Sequence, residues 1–338
     1  MDPWMIVAGA LLFVAPPLGL LSWLGAIVRD ELRRPRVPVL MYHRFVAQRS
    51  LDAGELIEEE RVWVVTDLEL EDQCRSLRAA GYEAIDLDQL VAGFEGRAPL
   101  PNKPIVFTFD DGYTSCIEIA TPTLERHGMR GVFYVVLEPD EHSRELVQGK
   151  DGWLAPDQLR SMHAAGHTIG SHTITHGLLS EMDDAGVRWE LTESKRRLEE
   201  ILGAEVAHFC IPRAGGNRKI ERMTAVAGYR TCTGSGKGTA NPGRDLLHLP
   251  RIGVPRGQSG ARLVARLEPL RAARERLLAE IRMIPTRLLG PSAGYRIRQV
   301  LYGGPIRRAL LQDRLGVLVG IAACGWVGLG VAWLMALR

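Results

Sequence analysis

Between residues 37 and 254 the chain repeats one pattern, a short apolar run followed by a helix-length stretch. The runs are VPVLMYH (37–43), IVFTF (105–109), GVFYVV (131–136), HTIGSH (167–172), VAHFCIP (206–212), YRTCTGS (229–235) and LHLPRIGV (247–254). Each reads as a strand. A linker of mixed charge follows the first run, and then DLELEDQCRSLRAAG sets Leu70, Cys74, Leu77 and Ala80 at helical spacing before Gly81, a C-terminal cap. Residues 117–128, 155–166, 187–202 and 219–228 read as further helices. Strands alternating with such helices imply βαβ units and a mainly parallel sheet, open or closed into a barrel. Reactive groups then belong at the C-terminal ends of strands. Asp110, Asp111, His172 and Pro212 all stand at such ends.

The flanks differ from this middle. Met5 to Val28 and Leu315 to Leu337 carry no charge, and each exceeds the roughly 20 residues that cross a bilayer. Both are expected to enter a membrane, with Pro16 and Pro17 kinking the first or folding it into a re-entrant hairpin. Asp2 replaces the positive charge of a signal peptide, so a removable leader is not expected. Arg29, Arg33, Arg34 and Arg36 follow the first segment, and Arg307, Arg308 and Arg314 precede the second. That excess places the middle of the chain on the cytoplasmic side. Five scattered cysteines without a C-x-x-C pair suggest no disulfide framework. Ala261 to Arg314 holds 12 Arg and no Lys against four acids, interleaved with Leu, Ile and Tyr. Such helices either present a solvated face or lie on an anionic membrane surface, and their continuation into an apolar segment favours the membrane. The overall balance of +2, with 46% hydrophobic residues, gives no sign of a nucleic-acid partner. Four regions result: a membrane segment with its basic flank (1–36), a central βα domain (37–260), a basic amphipathic region (261–314) and a terminal span (315–338).

The chemistry concentrates in two short stretches. In IVFTFDDGY, Asp110 and Asp111 close an apolar strand, where Asp-Gly is either a turn or a placement for paired carboxylates. In SHTITH, His172 and His176 are four apart and share a face if the segment makes a helical turn. Two His and one carboxylate from another strand end make a set that holds a catalytic divalent metal with open positions. One aspartate then turns to the metal while its neighbour stays free to act as a base.

At these residues the sequence resembles the NodB-type polysaccharide deacetylases, over roughly Val37 to Val254. VPVLMYHRF is similar to the family's opening strand, TFDDGY to its first motif and SHTITH to its second. HFCIPRAGG is similar to the third motif of one branch, and LPRIGV to a late strand of that branch. The third motif departs from the pattern. Ile211 and Arg213 stand where aromatics are usual, Ala214 is inserted, and Cys210 replaces an Arg used elsewhere in the family. The resemblance implies an α/β fold, a distorted (β/α) barrel, here with terminal transmembrane helices. It implies a hydrolase that removes N-acetyl groups from an amino-sugar glycan; the cytoplasmic placement expected from the arginine flanks makes a glycan joined to polyprenyl phosphate, beside membrane lipids, the natural candidate. It assigns Asp111, His172 and His176 to the metal and Asp110 to the base, with Pro212 and Arg213 toward the substrate or oxyanion. His248 is the nearest candidate for the acid, while Arg251 orients Asp110 or caps the strand end. His43 reads as structural. The implied ion is zinc, with iron, cobalt, nickel or manganese as alternatives. The competing readings are a deacylase or deformylase of another lipid-linked amide, and a non-catalytic sugar-binding membrane protein.

Overall fold

A computed structural model describes residues 15–54, 63–141, 143–144, 151–214, 216–234 and 237–280. Among these the strands are β1 (Val39–Tyr42), β2 (Phe45–Val46), β3 (Val65–Thr66), β4 (Glu83–Ala84), β5 (Pro104–Phe109), β6 (Val132–Val135), β7 (Thr168–Ser171), β8 (His208–Cys210), β9 (Thr231–Thr233) and β10 (Ile252–Gly253). The main sheet runs β10-β1-β5-β6-β7-β8-β9, with β4 also on β5, and every ladder is parallel. Parallel sheets covered on both faces need continuous apolar strands. β5 obeys this, since all six of its residues are buried. After β9 the chain pairs at Leu249 with Thr233, and three residues on Ile252 joins Leu40 of β1. One segment thus bridges the two edges of the curved sheet, giving the barrel-like α/β fold that the alternation predicts.

The helices form where their caps allow. Thr66 and Glu69 make a reciprocal capping box that starts Asp67–Ala79, and Gly81 (φ 81°) follows its end. The helix expected over 117–128 begins instead as a π-turn, Cys116–Ala120, before the α-turns Thr121–Arg126. Pro122 has no N–H to close a regular i to i−4 bond there. LHLPRIGV is a strand only at Ile252–Gly253. Its start is a 3₁₀ turn, Leu246–His248, capped by Asp245, and Pro250 offers no donor to a ladder. The linker after β1 also carries the short parallel pair β2–β3, which its mixed charge concealed.

Glu31–Ala272 forms one compact unit. Within it, helix Gly260–Arg266 sends Leu263 into the core, as does Leu267 just beyond, and Arg266 donates to the Gly253 carbonyl at 2.7 Å. The first turns of the basic region are therefore core structure rather than a membrane-surface helix, because their apolar face is covered. Arg36 is likewise buried, 3.5 Å from Glu31 and bonded to the Leu267 carbonyl. The second unit joins residues 1–30 to 273–338, of which 15–30 and 273–280 are described. Helix Ala15–Leu32 carries Pro16 and Pro17 in its first turn, exposes Leu18 and Leu21, and ends in Arg29, Asp30 and Glu31. No helix among the described residues is long and apolar enough to cross a membrane. The expected span 315–337 and most of the basic region lie outside the described residues.

Candidate metal centre and active site

Asp110 and Asp111 leave β5 on opposite courses. Asp110 continues the strand direction and donates its N–H to the Tyr42 carbonyl on β1 at 2.9 Å. Asp111 turns away through a left-handed backbone (φ 75°), followed by Gly112 (φ 83°). A side chain at Gly112 would meet Val135, including its Cα at 3.3 Å, so this turn has room only for glycine. The turn itself is held by Asp151. Its carboxylate accepts from the Thr114 hydroxyl (2.5 Å) and the Ser115 and Gly152 N–H groups, and it pairs with Arg44 at 3.1 Å.

His172 and His176 follow β7 through a loop, not a helical turn. Thr173 (φ 74°) and His176 (φ 65°) are left-handed, and the Thr173 hydroxyl accepts the His176 N–H at 3.0 Å. Buried Glu190, from helix Asp184–Leu202, accepts the N–H groups of Ile174 (2.7 Å) and Thr175 (3.2 Å) and the Thr175 hydroxyl. The loop brings both imidazoles to Asp111, whose Oδ1 lies 3.5 Å from His172 Nε2 and 3.3 Å from His176 Nε2. Among the described residues the four non-glycine positions with positive φ are Asp111, Thr173, His176 and Arg213. Three of the four belong to this cluster and the fourth to the third motif, so backbone strain gathers where the chemistry is expected.

Two donor sets converge here, Asp111/His172/His176 and Asp110/His172/Cys210. The first fits a divalent ion better. His172 Nδ1 donates to the Cys210 carbonyl at 2.8 Å, which leaves Nε2 with its lone pair toward Asp111. Asp110, by contrast, is fully engaged by Arg251, at 2.6 Å to Oδ1 and 2.8 Å to Oδ2, and Arg251 Nη2 also lies 3.1 Å from Cys210 Sγ. Burial pushes the Asp110 carboxyl up, but the Arg251 charge and then His172 outweigh it and hold it below the usual carboxylate range. Asp110 therefore stands beside the metal set as an ionised, oriented carboxylate.

The remaining predicted residues divide. Arg251 reaches the site. Pro212 stands two residues past the end of β8 and opens the turn Pro212–Ala214. Arg213 directs its guanidinium to Asp140 at 2.7 Å. His248 belongs to neither donor set and pairs with Glu221 of helix Arg218–Val226. Besides His172, the imidazole beside Asp110 is that of His43, with Nε2 3.8 Å from Oδ2 and a ring 5.3 Å from that of Trp63. Trp63 is 41% exposed and lies over Gly253, where a Cβ would come within 2.9 Å of it. Sequence reading gave no signal for Trp63, Glu190 or Asp151, because an indole in a linker and acids among many acids are unremarkable until folded. His167 and His208 sit at the N-terminal ends of β7 and β8 and, with His163, line a separate cavity of about 170 Å³.

Comparison with known proteins agrees with this geometry. Residues 97–232 match the polysaccharide deacetylase family. YxkH of Bacillus subtilis, which carries the name of a polysaccharide deacetylase, is 23% identical over 236 residues, 70% of this chain and 77% of that protein. The structure of deacetylase PplD from Streptococcus pyogenes, in complex with acetate, shares the fold at a TM-score of 0.60 and 20% identity. It covers 69% of this chain and 99% of that one. A polysaccharide deacetylase from Bacillus cereus superposes at a TM-score of 0.57 with 23% identity, over 69% of each chain.

Proposed function

The chain carries a polysaccharide deacetylase domain, and from that premise we propose that it hydrolyses the N-acetyl amide of an acetamido sugar with a divalent metal. The observation that supports this most is the convergence of Asp111, His172 and His176 beside the Arg251-tethered Asp110, all at C-terminal strand ends. These three residues would hold the ion, and zinc suits a site of two imidazoles and one carboxylate. Bound there, it supplies a Lewis acid for the amide carbonyl and a water that ionises near neutral pH. Asp110 takes the proton of the attacking water, and Arg251 keeps Asp110 ionised and aimed. His43, 3.8 Å from Asp110, is the imidazole placed to pass a proton to the leaving amine. Trp63 offers an exposed ring to the apolar face of a sugar, and Pro212 brings the third motif to the same strand ends.

The finer reading is a membrane-associated glycan, joined to polyprenyl phosphate, met on the cytoplasmic side. The arginines of 273–314 and the basic flank residues Arg29, Arg33 and Arg34 support it. The whole reading is tested on the full chain with an acetylated chitooligosaccharide, by acetate release and metal content. Asp110→Asn should keep the metal and lose about 10²–10⁴-fold in turnover, whereas His172→Ala and His176→Ala should lose both. Equal metal loss in all three variants, or acetate release that survives chelation, would refute this division of roles. Retained metal without any acetate release would leave a sugar-binding protein.

A further inference from the structure

Arg213 holds a left-handed backbone (φ 53°) and gives its guanidinium to Asp140, which follows β6, rather than to the centre of the site. Asp140 is anchored in turn, since its N–H donates to the Thr175 carbonyl at 3.0 Å, inside the loop that carries His176. Its Oδ1 accepts the Ser143 N–H at 2.8 Å, and Arg213 Nη2 also reaches the Ser143 hydroxyl at 3.5 Å. The Ser143 hydroxyl then lies 3.0 Å from His176 Nδ1. This chain of contacts has a direction. Guanidinium only donates and an ionised carboxylate only accepts, whereas a hydroxyl does either. An imidazole that turns its Nε2 lone pair to a cation carries its proton at Nδ1, so the Ser143 oxygen, 3.0 Å away, is placed to accept from His176 Nδ1–H. An imidazole protonated at Nδ1 presents its Nε2 lone pair, and Nε2 is the atom 3.3 Å from Asp111.

We propose that Arg213, Asp140 and Ser143 form a relay that fixes the tautomer and orientation of His176, making Arg213 a positioning residue for the metal centre. The proposal rests on the reading that Asp111, His172 and His176 hold a divalent cation. The two histidines are then set by different means. His172 is oriented by a backbone carbonyl, which cannot be mutated away, while His176 depends on side chains. Partners of this kind are commonly worth about 10–100-fold in metal affinity. Arg213 acts at one remove, through a pair whose side chains are 33% and 31% exposed, so its share is smaller.

The test is competition for Zn²⁺ between the full chain and a chelating indicator, together with the visible spectrum of the Co²⁺-loaded protein. Ser143→Ala should weaken Zn²⁺ binding about 10-fold or more and alter the Co²⁺ spectrum. Arg213→Gln should weaken it about two- to fivefold, and Arg213→Lys should restore most of that. The double variant Ser143→Ala/Arg213→Gln should bind no more weakly than Ser143→Ala alone, because both act along one path. The unfolding midpoint of the metal-free protein should stay at the wild-type value in each. Wild-type Zn²⁺ affinity in Ser143→Ala, with affinity lost in His176→Ala, would overturn the relay and leave the metal reading standing. Losses that add, and that track a fall in metal-free stability, would equally overturn it in favour of a purely structural role. Full binding in His176→Ala would overturn the metal assignment itself, and the relay with it.

Discussion

Asp110 and Arg251 form a pair that bears on stability and, in the proposed mechanism, on chemistry. Both are buried, and the guanidinium satisfies both carboxylate oxygens. Breaking such a pair from one side strands a charge, at a cost of roughly 3–5 kcal/mol. Because the Asp110 carboxyl is held low, it stays ionised as pH falls through the ordinary carboxylate range, about pH 4, and protonates only below it. The acid limb of activity set by this group therefore lies on the low side of that range. Arg251→Gln removes the charge that lowers the carboxyl and keeps the burial that raises it. The limb should then move to higher pH, so that turnover falls more steeply at about pH 5 than at about pH 8. A pH profile of kcat on the metal-loaded variant checks this. An unmoved limb would assign it to another group.

The loop after β7 illustrates the element scale. Its conformation places two left-handed non-glycine residues within four positions, a strain that local sequence does not favour. Glu190 compensates by accepting two loop N–H groups and a hydroxyl, from a helix face that reads as ordinary charged surface. Hydrogen bonds to a buried carboxylate are worth about 1.5–3 kcal/mol each where they are made well. Glu190→Gln keeps the shape and removes the charge, so it should lower the stability of the metal-free protein by about 1–3 kcal/mol. It should also weaken metal retention, since His176 rides on the loop. Denaturant unfolding with and without chelator measures both effects, and wild-type values in the two would mean that the loop is held from elsewhere.

At the scale of the whole molecule, a single unit from Glu31 to Ala272 holds the candidate site, while the apolar ends and the arginine-rich stretch beyond Ala272 belong to the other. In the proposed membrane reading their sidedness is expected from charge, and it is a prediction about cells. Among the described residues Cys74, Cys116, Cys210 and Cys232 are buried, so with Cys324 replaced by Ser a cysteine introduced at exposed Asp52 is a selective reporter of the Glu31–Ala272 unit. In intact cells a membrane-impermeant thiol reagent should spare Asp52→Cys and label it only after lysis. Prompt labelling before lysis would place the domain outside, with a finished extracellular polymer as its substrate.

The parallel βα order was legible in the chain because strands buried on both faces must be apolar throughout, as β5 is. The candidate metal donors, which the structure gathers into one cluster, were legible too, since Asp-Asp-Gly at a strand end and paired histidines at another are local patterns. Sequence alone also narrowed Arg251 to two roles, orienting Asp110 or capping a strand. Tertiary structure decided what lies between such patterns. Pairings such as Asp110 with Arg251, or His176 with Ser143 and Asp140, span up to 141 residues of chain, and nothing in the intervening sequence encodes the distance. It also sent His248 to Glu221 and drew His43 and Trp63 to the site. A residue's type is written locally, whereas its partner is chosen by barrel closure, which brings strand ends together without regard to their order in the chain.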